Sequence, residues 1–390
     1  MKVAFVVQRY GSEVQGGSES LCRWVVERMT KYFQVEVLTT CAIDYLTWRD
    51  HYRPGPGEVN GIPVRRFSTR PPRKMRQFNA FTRKRIANQK PSLPDQIEWM
   101  RLQGPLCFDL IGYLKEFRRA YDLFVFFTYS YFTTYLGLQM VPDRSLLVPT
   151  AHDEPHIYFD IFKPIFHLPR GIIYNTEEEK QLVHRIFANS HVPNEVVGSG
   201  ISEAEEPKAG PSGELPVRSP YILYVGRIDI MKGCGELVDY FVRYLKETGR
   251  DLRLVLVGKK FMQLPEHPQI LHLGVVGEGD KRRLMENAEV GINPSEYESL
   301  SLSLLESWSA GIPVLVNGCS EVLVGHCLRS NGGLYYTNYG EFSLCLEVLL
   351  SRPELRKKMG EDGRRYVQTN YAWDVVEEKY LKLITASSKR

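Results

Sequence analysis

The chain has 390 residues, of which 43% are hydrophobic and 25% charged, and its formal net charge is +4. This length favours about two domains of roughly 150 to 200 residues each, and the composition excludes a mostly disordered or fibrous chain. The seven cysteines are scattered and contain no C-x-x-C pair, so neither a disulfide framework nor a zinc site is predicted.

The first strand is predicted directly after Met1, in the run from Val3 to Val7. That run is far shorter than the core of a signal peptide, and no apolar stretch approaches the roughly 18 to 20 residues that a membrane-spanning helix needs. We therefore expect a soluble, cytoplasmic protein, with attachment to the inner face of the membrane left open.

Up to about residue 200, short β-branched runs alternate with longer amphipathic stretches, which is the pattern of a parallel sheet flanked by helices. A Gly16-Gly17 turn leads from the first strand into a helix predicted from Ser18 to Lys31. The predicted strands are Val3 to Val7, Val35 to Thr40, Leu123 to Phe127, Leu146 to Pro149, Ile172 to Asn175 and Val196 to Gly198.

A second alternating series begins at Tyr221, and the stretch before it holds four prolines and no apolar period. We predict an N-terminal domain over 1–200, a linker over 201–220, a C-terminal domain over 221–370 and a last helix in 371–390 that could pack back on the first domain. The strands and late helices predicted here are Tyr221 to Val225, Leu252 to Val257, Ile270 to Leu273, Val290 to Asn293, Pro313 to Val316, Pro353 to Asn370 and Trp373 to Ser387.

The segment NPSEYESLSLSLLESWSAGIPV is the richest in polar residues that could act on a ligand. A strand ending near Asn293 meets a loop and then a helix predicted from about Ser301 to Ala310. Such a turn presents free backbone N–H groups and the positive end of a helix dipole at the carboxyl edge of the sheet, where anions bind. Ser299, Leu300 and Ser301 are the candidate phosphate contacts.

Two glutamates flank this turn, since Glu298 precedes the helix and Glu306 lies about one to two turns inside it. A carboxylate on an otherwise apolar helix needs hydrogen-bond donors, and the hydroxyls of a ribose are suitable ones. The alternative is that Glu306 caps the helix or pairs with a basic neighbour while Glu298 is a solvated acid.

Two cations are predicted at the same sheet edge. In YVGRIDIMKG a strand ends at Gly226, Arg227 follows, and Lys232 stands at the start of another helix. Cations placed there can neutralise a diphosphate through charge-assisted contacts. A strand followed by Gly-Arg is by itself more often structural, and its combination with the two later glutamates is what makes the pattern specific.

The segments GGSES, GSGIS, YVGRIDIMKG and SEYESLSLSLLESWSAGIPV resemble family 4 of the retaining glycosyltransferases in order, spacing and content. The resemblance is strong over roughly residues 195–335. It implies an α/β chain of the GT-B architecture, with two doubly wound Rossmann-like domains facing across a cleft and the donor sugar held by the second.

The resemblance also implies roles for single residues. Arg227 and Lys232, with Gly226 beside them, would bind the donor diphosphate, while Glu306 would bind the ribose and Glu298 a hydroxyl of the transferred sugar. Ser299 and Ser301 stand where the family often has glycine.

In the first domain, Gly16 and Gly17 followed by Glu19 are similar to the glycine-rich loop that approaches the donor from the opposite side in this family. Most such glycines only make the turn. His152, in PTAHDEP, follows a predicted strand, and the similar family position lines the sugar pocket. A lone loop histidine is otherwise more often a surface or packing residue.

By this resemblance the chain would transfer a hexose, with retention at the anomeric carbon, from a UDP- or GDP-sugar to an acceptor hydroxyl in glycan, glycolipid or natural-product biosynthesis. No cofactor and no metal ion are expected, since neither a dinucleotide fingerprint, a Walker lysine motif nor a D-x-D is present. Two alternatives stay open. One is a sugar phosphorylase or nucleotide-sugar epimerase on the same scaffold, and the other a non-catalytic homologue that binds an anionic glycan or a membrane.

Between Val59 and Pro94 the chain carries ten cations and no acid, so this segment holds +10 and the remainder −6. The asymmetry predicts an anionic partner such as a membrane surface, a lipid-linked phosphate or an acidic glycan, and we expect no nucleic acid. A merely solvated loop is the alternative. The cations are Arg65, Arg66, Arg70, Arg73, Lys74, Arg76, Arg83, Lys84, Arg85 and Lys90.

Three phenylalanines, Phe67, Phe78 and Phe81, interleave with the cations of the segment Arg65–Lys90. They would suit shallow insertion at a lipid interface, which would support peripheral membrane association, but they could equally anchor a helix to the domain. The corresponding part of the first domain shapes the acceptor site in the family that the chain resembles.

Overall fold

The computed structural model describes residues 1–14, 16–86, 90–201, 217 and 220–388. The chain divides into two compact units, of which unit 1 comprises Met1–Gly200 with Val376–Arg390 and unit 2 comprises Ile201–Val375. Apart from Ile201, Val217 and Pro220, the predicted linker over 201–220 lies outside the described residues.

Unit 1 is built on an eight-stranded sheet in the order β3-β4-β2-β1-β5-β6-β7-β8, in which only the β3–β4 pair is antiparallel. Its central strands are buried along their whole length, as expected for a parallel sheet covered by helices. The strands are β1 Lys2–Val6, β2 Gln34–Thr40, β3 Gly55–Val59, β4 Ile62–Phe67, β5 Leu123–Phe127, β6 Ser145–Val148, β7 Gly171–Tyr174 and β8 Asn194–Val196.

The helices of unit 1 connect these strands and cover the sheet. A π-helical turn over Thr82–Ile86 continues the second helix, and short 3-10 turns stand at Pro142–Arg144, Pro155–Tyr158 and Asp160–Phe162. The helices are α1 Gly17–Met29, α2 Met75–Phe81, α3 Leu93–Gln103, α4 Phe108–Glu116, α5 Phe132–Met140, α6 Lys163–His167 and α7 Glu177–Phe187.

The hairpin of β3 and β4 was not predicted, although the sequence carries a signal for it. Asn60 and Gly61 join the strands with φ angles of 51° and 77°, the two positive values that a type I′ turn requires. Val59 and Ile62 are directly paired across the turn. The hairpin places Arg65 and Arg66, the first two cations of the basic segment, inside a strand.

Unit 2 contains a six-stranded, entirely parallel sheet in the order β11-β10-β9-β12-β13-β14, of which only the edge strand β14 was not predicted. Its strands are β9 Tyr221–Val225, β10 Arg253–Val257, β11 Ile270–Gly274, β12 Val290–Asn293, β13 Val314–Asn317 and β14 Gly333–Tyr336. The later helices are α8 Cys234–Thr248, α9 Glu278–Glu286, α10 Leu302–Ala310, α11 Glu321–Ser330, α12 Tyr339–Ser351, α13 Pro353–Asn370 and α14 Trp373–Ser388.

From Val376 onward, α14 belongs to unit 1. Val376, Tyr380 and Ile384 recur at helical spacing and are fully buried. The buried carboxylate of Glu377 accepts hydrogen bonds from Lys31 Nζ at 3.1 Å and from the Tyr32 hydroxyl at 3.0 Å. These contacts join the last helix to the C-terminal end of α1.

Candidate active site

The carboxyl ends of β9 and β10 approach each other closely in unit 2. A Cβ atom on Gly258, whose φ is +134°, would lie 1.9 Å from the carbonyl oxygen of Gly226, so this contact requires glycine. The backbone N–H of Gly226 donates to Val257 O at 2.9 Å. The close approach fixes the start of the loop that carries the two predicted cations.

Arg227 is the first of those cations, and its Nε lies 3.3 Å from Asp229 Oδ2. Asp229 also begins the 3-10 turn Ile230–Lys232, since its Oδ1 accepts the N–H of Met231 at 2.9 Å. The guanidinium is therefore oriented by an acid two residues further along the chain, a partner that the sequence reasoning did not single out.

Lys232 ends the same turn and contacts the second predicted segment. Its Nζ lies 2.8 Å from Glu298 Oε1 and donates to Tyr297 O at 3.3 Å. Gly233 makes this approach possible, because at its φ of +71° a Cβ atom would stand 2.1 Å from the Pro294 carbonyl oxygen. Two predicted site residues, Lys232 and Glu298, are thus brought into direct contact at the carboxyl edge of the sheet.

In the loop before α10, the side chains of Leu300 and Ser301 make contacts within unit 2. Leu300 is buried in the core of unit 2, and Ser301, at a φ of +68°, accepts a hydrogen bond on its hydroxyl from Asn293 Nδ2 at 2.7 Å. No side chain caps α10. What this loop can offer an anion is therefore the backbone N–H groups of the first helical turn.

Glu306 lies on α10 and pairs with a basic neighbour, which was the predicted alternative to a contact with a ribose. Its Oε1 is 2.9 Å from Nζ of Lys281 on α9, which also contacts Glu278 at 2.7 Å. Burial raises the pKa of Glu306 above its usual value, although Lys281 opposes the shift. A basic side chain 25 positions away could not be identified from periodicity.

In unit 1 the glycine turn is packed against a buried ion pair that the sequence reasoning missed. Arg9 Nη2 lies 2.6 Å from Glu19 Oε1, and Gln8 Nε2 donates to the same oxygen at 2.9 Å. A Cβ atom on Gly16 would stand 2.1 Å from Glu19 Oε2, whereas one on Gly17 would meet nothing within 4 Å. Because Gly16 has no side chain, the Arg9–Glu19 pair can occupy the space beside it.

His152 belongs to a cluster around one carboxylate in unit 1. Glu154 Oε2 lies 3.5 Å from His152 Nδ1, while its Oε1 lies 2.8 Å from His156 Nε2 and accepts from the Tyr129 hydroxyl at 2.9 Å. Burial alone would raise the pKa of Glu154, but the two histidines and the tyrosine lower it to about 2. Trp99 covers His156, with ring centroids 4.7 Å apart. The predicted site histidine thus has an ionised partner in its own loop.

A second carboxylate holds the backbone beside His152. Glu179, 1% exposed, accepts the N–H groups of Ala151 and Asn175, each at 2.5 Å. These groups follow β6 and β7, so Glu179 ties two neighbouring strand ends together. Burial raises its pKa to about 8, against the two backbone hydrogen bonds that lower it.

The basic segment is only partly a surface feature. Arg66 is buried, donates to Tyr10 O at 3.2 Å and lies over the Tyr52 ring at 4.2 Å. Arg73 donates to Leu46 O at 2.8 Å and to Gln103 Oε1 at 2.7 Å, and its burial lowers its pKa. Arg65 lies 3.2 Å from Glu36. These three cations are therefore held by contacts within unit 1.

The three phenylalanines of the segment anchor it to the domain, the second of the two alternatives. Phe67 is buried in the core of unit 1, and Phe78 and Phe81 pack against that core. Phe67 is therefore not available for insertion into a lipid interface, and Phe78 and Phe81 are only partly exposed. Seven cations face solvent, and Arg85 among them lies 3.8 Å from Asp95: Arg70, Lys74, Arg76, Arg83, Lys84, Arg85 and Lys90.

Over the described ranges, no helix combines the length and apolar character needed to cross a membrane. In the same ranges, no three or more His, Cys, Asp or Glu side chains are grouped so that they could hold a metal ion.

Residues 206–366, less than half of the chain, match the family described as glycosyl transferases group 1. An uncharacterized glycosyltransferase of Methanocaldococcus jannaschii is 26% identical over 170 residues, which cover 40% of this chain and 43% of that protein. The chain spans less than half the length of the first curated relatives that it matches.

Solved structures resemble the chain over nearly its full length. One is an α,α-trehalose-phosphate synthase (UDP-forming) from Burkholderia xenovorans in complex with glucose-6-phosphate, with a TM-score of 0.72, 11% identity and coverage of 99% of this chain and 100% of that one. Another is the Anabaena protein HepE with UDP and glucose, with a TM-score of 0.69, 12% identity and the same coverage. The fold is thus of the GT-B type, with two Rossmann-like domains.

Proposed function

We propose that the protein is a retaining glycosyltransferase that moves a sugar from a nucleoside-diphosphate sugar to an acceptor hydroxyl. The observation that carries the proposal is the contact of Lys232 Nζ with Glu298 Oε1, 2.8 Å long, at the carboxyl edge of the unit 2 sheet. It brings a cation suited to a diphosphate next to a carboxylate suited to a sugar hydroxyl. The group 1 match of residues 206–366 supports the same conclusion.

The cations would act on the leaving group. As the bond between sugar and diphosphate breaks, negative charge grows on the phosphate oxygens, and fixed positive charge stabilises it without reorganisation. Lys232 and Arg227 are held by Glu298 and Asp229, so both are oriented before the donor binds. With these cations and the N-terminal amides of α10, the transfer would need no metal ion.

Glu298 would accept a hydrogen bond from a hydroxyl of the transferred sugar, and Glu306 would accept hydrogen bonds from the ribose. In a retaining transfer the acceptor attacks on the face that the diphosphate leaves, and a phosphate oxygen takes its proton. His152, in unit 1, would bind the sugar. A uridine nucleotide is our first expectation for the donor, because the two structural neighbours described above are a UDP-forming enzyme and a UDP complex.

We further propose that the exposed cations of 70–90 attach the protein to an anionic membrane surface. Lys74, Arg76, Arg83 and Lys84 are exposed, and none of them makes an ion pair within the part of the chain that the structure describes. Such cations each contribute about 1 kcal/mol near an anionic bilayer. Attachment would rest mainly on charge, because the three phenylalanines of the segment pack against the core of unit 1.

The proposal is tested by incubating the protein with UDP-glucose, GDP-mannose and related donors, and measuring release of the nucleoside diphosphate with and without EDTA. Release that depends on an added acceptor and yields an α-linked product by NMR is expected. Dependence on inorganic phosphate would indicate a phosphorylase, and conversion of the donor alone an epimerase. Loss of activity in EDTA that Mg²⁺ or Mn²⁺ restores would overturn metal independence.

A further inference from the structure

Unit 1 has a concave site, not yet assigned a role, that is formed by the segments following β2 and β4. These strands are parallel neighbours, so the segments that follow them meet at one edge of the sheet. The site has a volume of about 550 Å³, within the range of small-molecule pockets. It is lined by Arg49, Asp50, Thr69, Arg70, Pro71 and Pro72.

Hydrogen bonds fix both walls of this site. The backbone N–H of Thr69 donates to Asp50 Oδ1 at 2.9 Å, and its hydroxyl donates to the carbonyl of Trp48. The N–H of Arg70 donates to Leu106 O at 2.9 Å. The backbone of the site is therefore held in place before any ligand arrives, and binding would have to order only the two exposed arginine side chains.

The charge of the site is positive. Arg49 and Arg70 are both exposed, and among the described residues neither guanidinium takes part in an ion pair. Asp50 is the one acid in the lining, and its carboxylate already accepts the N–H of Thr69. This distinguishes Arg49 and Arg70 from Arg66 and Arg73, whose guanidinium groups are used inside the domain.

We propose that this site binds a phosphate group of the acceptor through Arg49 and Arg70. Guanidinium groups bind phosphate oxygens with two parallel hydrogen bonds, and two of them lining one concave site suit a phosphate monoester. The volume leaves room for the sugar or glycerol that bears the phosphate. Naming this ligand the acceptor rests on the proposed function, whereas the anion site itself does not.

Calorimetry with the full chain tests the site directly, with glucose 6-phosphate, glucose and inorganic phosphate as probes. Glucose 6-phosphate is expected to bind more tightly than glucose. Arg49→Gln and Arg70→Gln should each weaken its binding about tenfold or more, the usual size of a lost charge-assisted contact. Arg53→Gln is the matched control, since Arg53 is an exposed cation near the site that does not line it.

Vesicles of phosphatidylcholine with and without phosphatidic acid separate a lipid phosphate from a soluble one. If only the phosphatidic acid vesicles bind, and binding is weakened in Arg49→Gln and Arg70→Gln but not in Arg53→Gln, the phosphate comes from a lipid. The phosphate site is overturned if glucose and glucose 6-phosphate bind equally, or if all three variants lose glucose 6-phosphate binding equally, and the variants also bind phosphatidic acid vesicles equally.

UDP binding to the same variants keeps this result apart from the proposed function. It should be unchanged in all three, because the residues proposed to bind the diphosphate and the ribose, Arg227, Lys232 and Glu306, lie in unit 2. An intact phosphate site in a protein that turns over no nucleotide sugar would overturn the glycosyltransferase proposal and leave the anion site standing.

Discussion

Lys232 and Glu298 form an ion pair, with Nζ and Oε1 2.8 Å apart, between two loops that lie 66 residues apart in the chain. Both side chains keep some contact with solvent, at 30% and 16% exposure. Pairs of this kind contribute only about 0 to 1 kcal/mol to folding. Removing either partner should therefore leave the protein folded, so a loss of activity can be assigned to the site.

Lys232→Ala and Arg227→Ala should each reduce sugar transfer on the order of 100-fold or more, because each removes a fixed positive charge from the leaving diphosphate. Turnover of the nucleotide sugar measures the effect, and circular dichroism checks the fold. Lys246→Ala, on the exposed face of α8, is the matched control and should be near normal. Near-normal turnover of both site variants would show that the donor site was placed wrongly.

Glu306→Ala and Glu298→Ala should act on different parts of the donor. The first should weaken binding of free UDP about tenfold, because it removes the proposed ribose acceptor. The second should spare UDP and damage the use of UDP-glucose. Calorimetry with UDP alone distinguishes them, and equal losses in both variants would contradict the assignment. Lys281 keeps Glu278 as a partner in Glu306→Ala, which limits the cost to folding.

Glu154→Gln should reduce kcat about 10-fold to 100-fold and leave KM for the donor nearly unchanged. The amide can still accept the Tyr129 hydroxyl, but it no longer presents a charge to His152 Nδ1, so the imidazole loses its fixed orientation. Glu177→Gln, in the first turn of α7, is the control for loss of an acid. An unchanged kcat would show that Glu154 serves only to pack the loop.

Glu179 should make a contribution to the unfolding free energy that falls as the pH rises between about 4.5 and about 8. Over this range the folded state keeps a proton that the unfolded state releases, so each pH unit costs up to about 1.4 kcal/mol. The contribution is complete below about pH 4.5 and lost above about pH 8. In urea unfolding, the unfolding free energy of the wild type minus that of Glu179→Gln should therefore fall as the pH rises over this range, and parallel curves would rule the shift out.

Replacing Lys74, Arg76, Arg83, Lys84 and Arg85 by glutamine should abolish co-sedimentation with phosphatidylglycerol vesicles, and salt should weaken the wild-type interaction over a screening length of about 8 Å. UDP binding should not change. Arg73 is left in place because its hydrogen bonds to Leu46 and Gln103 belong to the fold. If the wild type ignores these vesicles at low salt, membrane attachment by this segment is wrong.

Much of the architecture could be predicted because buried parallel strands are uninterrupted apolar runs. Leu123–Phe127, Tyr221–Val225 and Val290–Asn293 have the predicted bounds, and the other predicted strands are displaced by only one or two residues. The β3–β4 hairpin was missed because its flanking residues are glycines, prolines and arginines, which hide the turn signal of Asn60-Gly61. The charge pattern was interpreted there as a surface property alone.

The predicted positions of site residues followed from strand ends, but their partners did not. Lys281 meets Glu306 because α9 packs beside α10, and no local pattern specifies that packing. Arg9 meets Glu19 across the glycine turn for the same reason. Such pairs depend on tertiary contacts, and they determine which charged side chains are already paired within the protein before a ligand binds.

Both ends of the chain build unit 1, since α14 belongs to it from Val376 onward and the carboxylate of Glu377 accepts a hydrogen bond from Lys31. During synthesis the whole of unit 2 leaves the ribosome before Val376 does. The nascent chain can therefore complete the second unit while the first still exposes the apolar surface that α14 covers. Truncating the chain after residue 375 should therefore destabilise unit 1, although unit 1 is synthesised first. A peptide carrying residues 376–388 should restore its stability in trans.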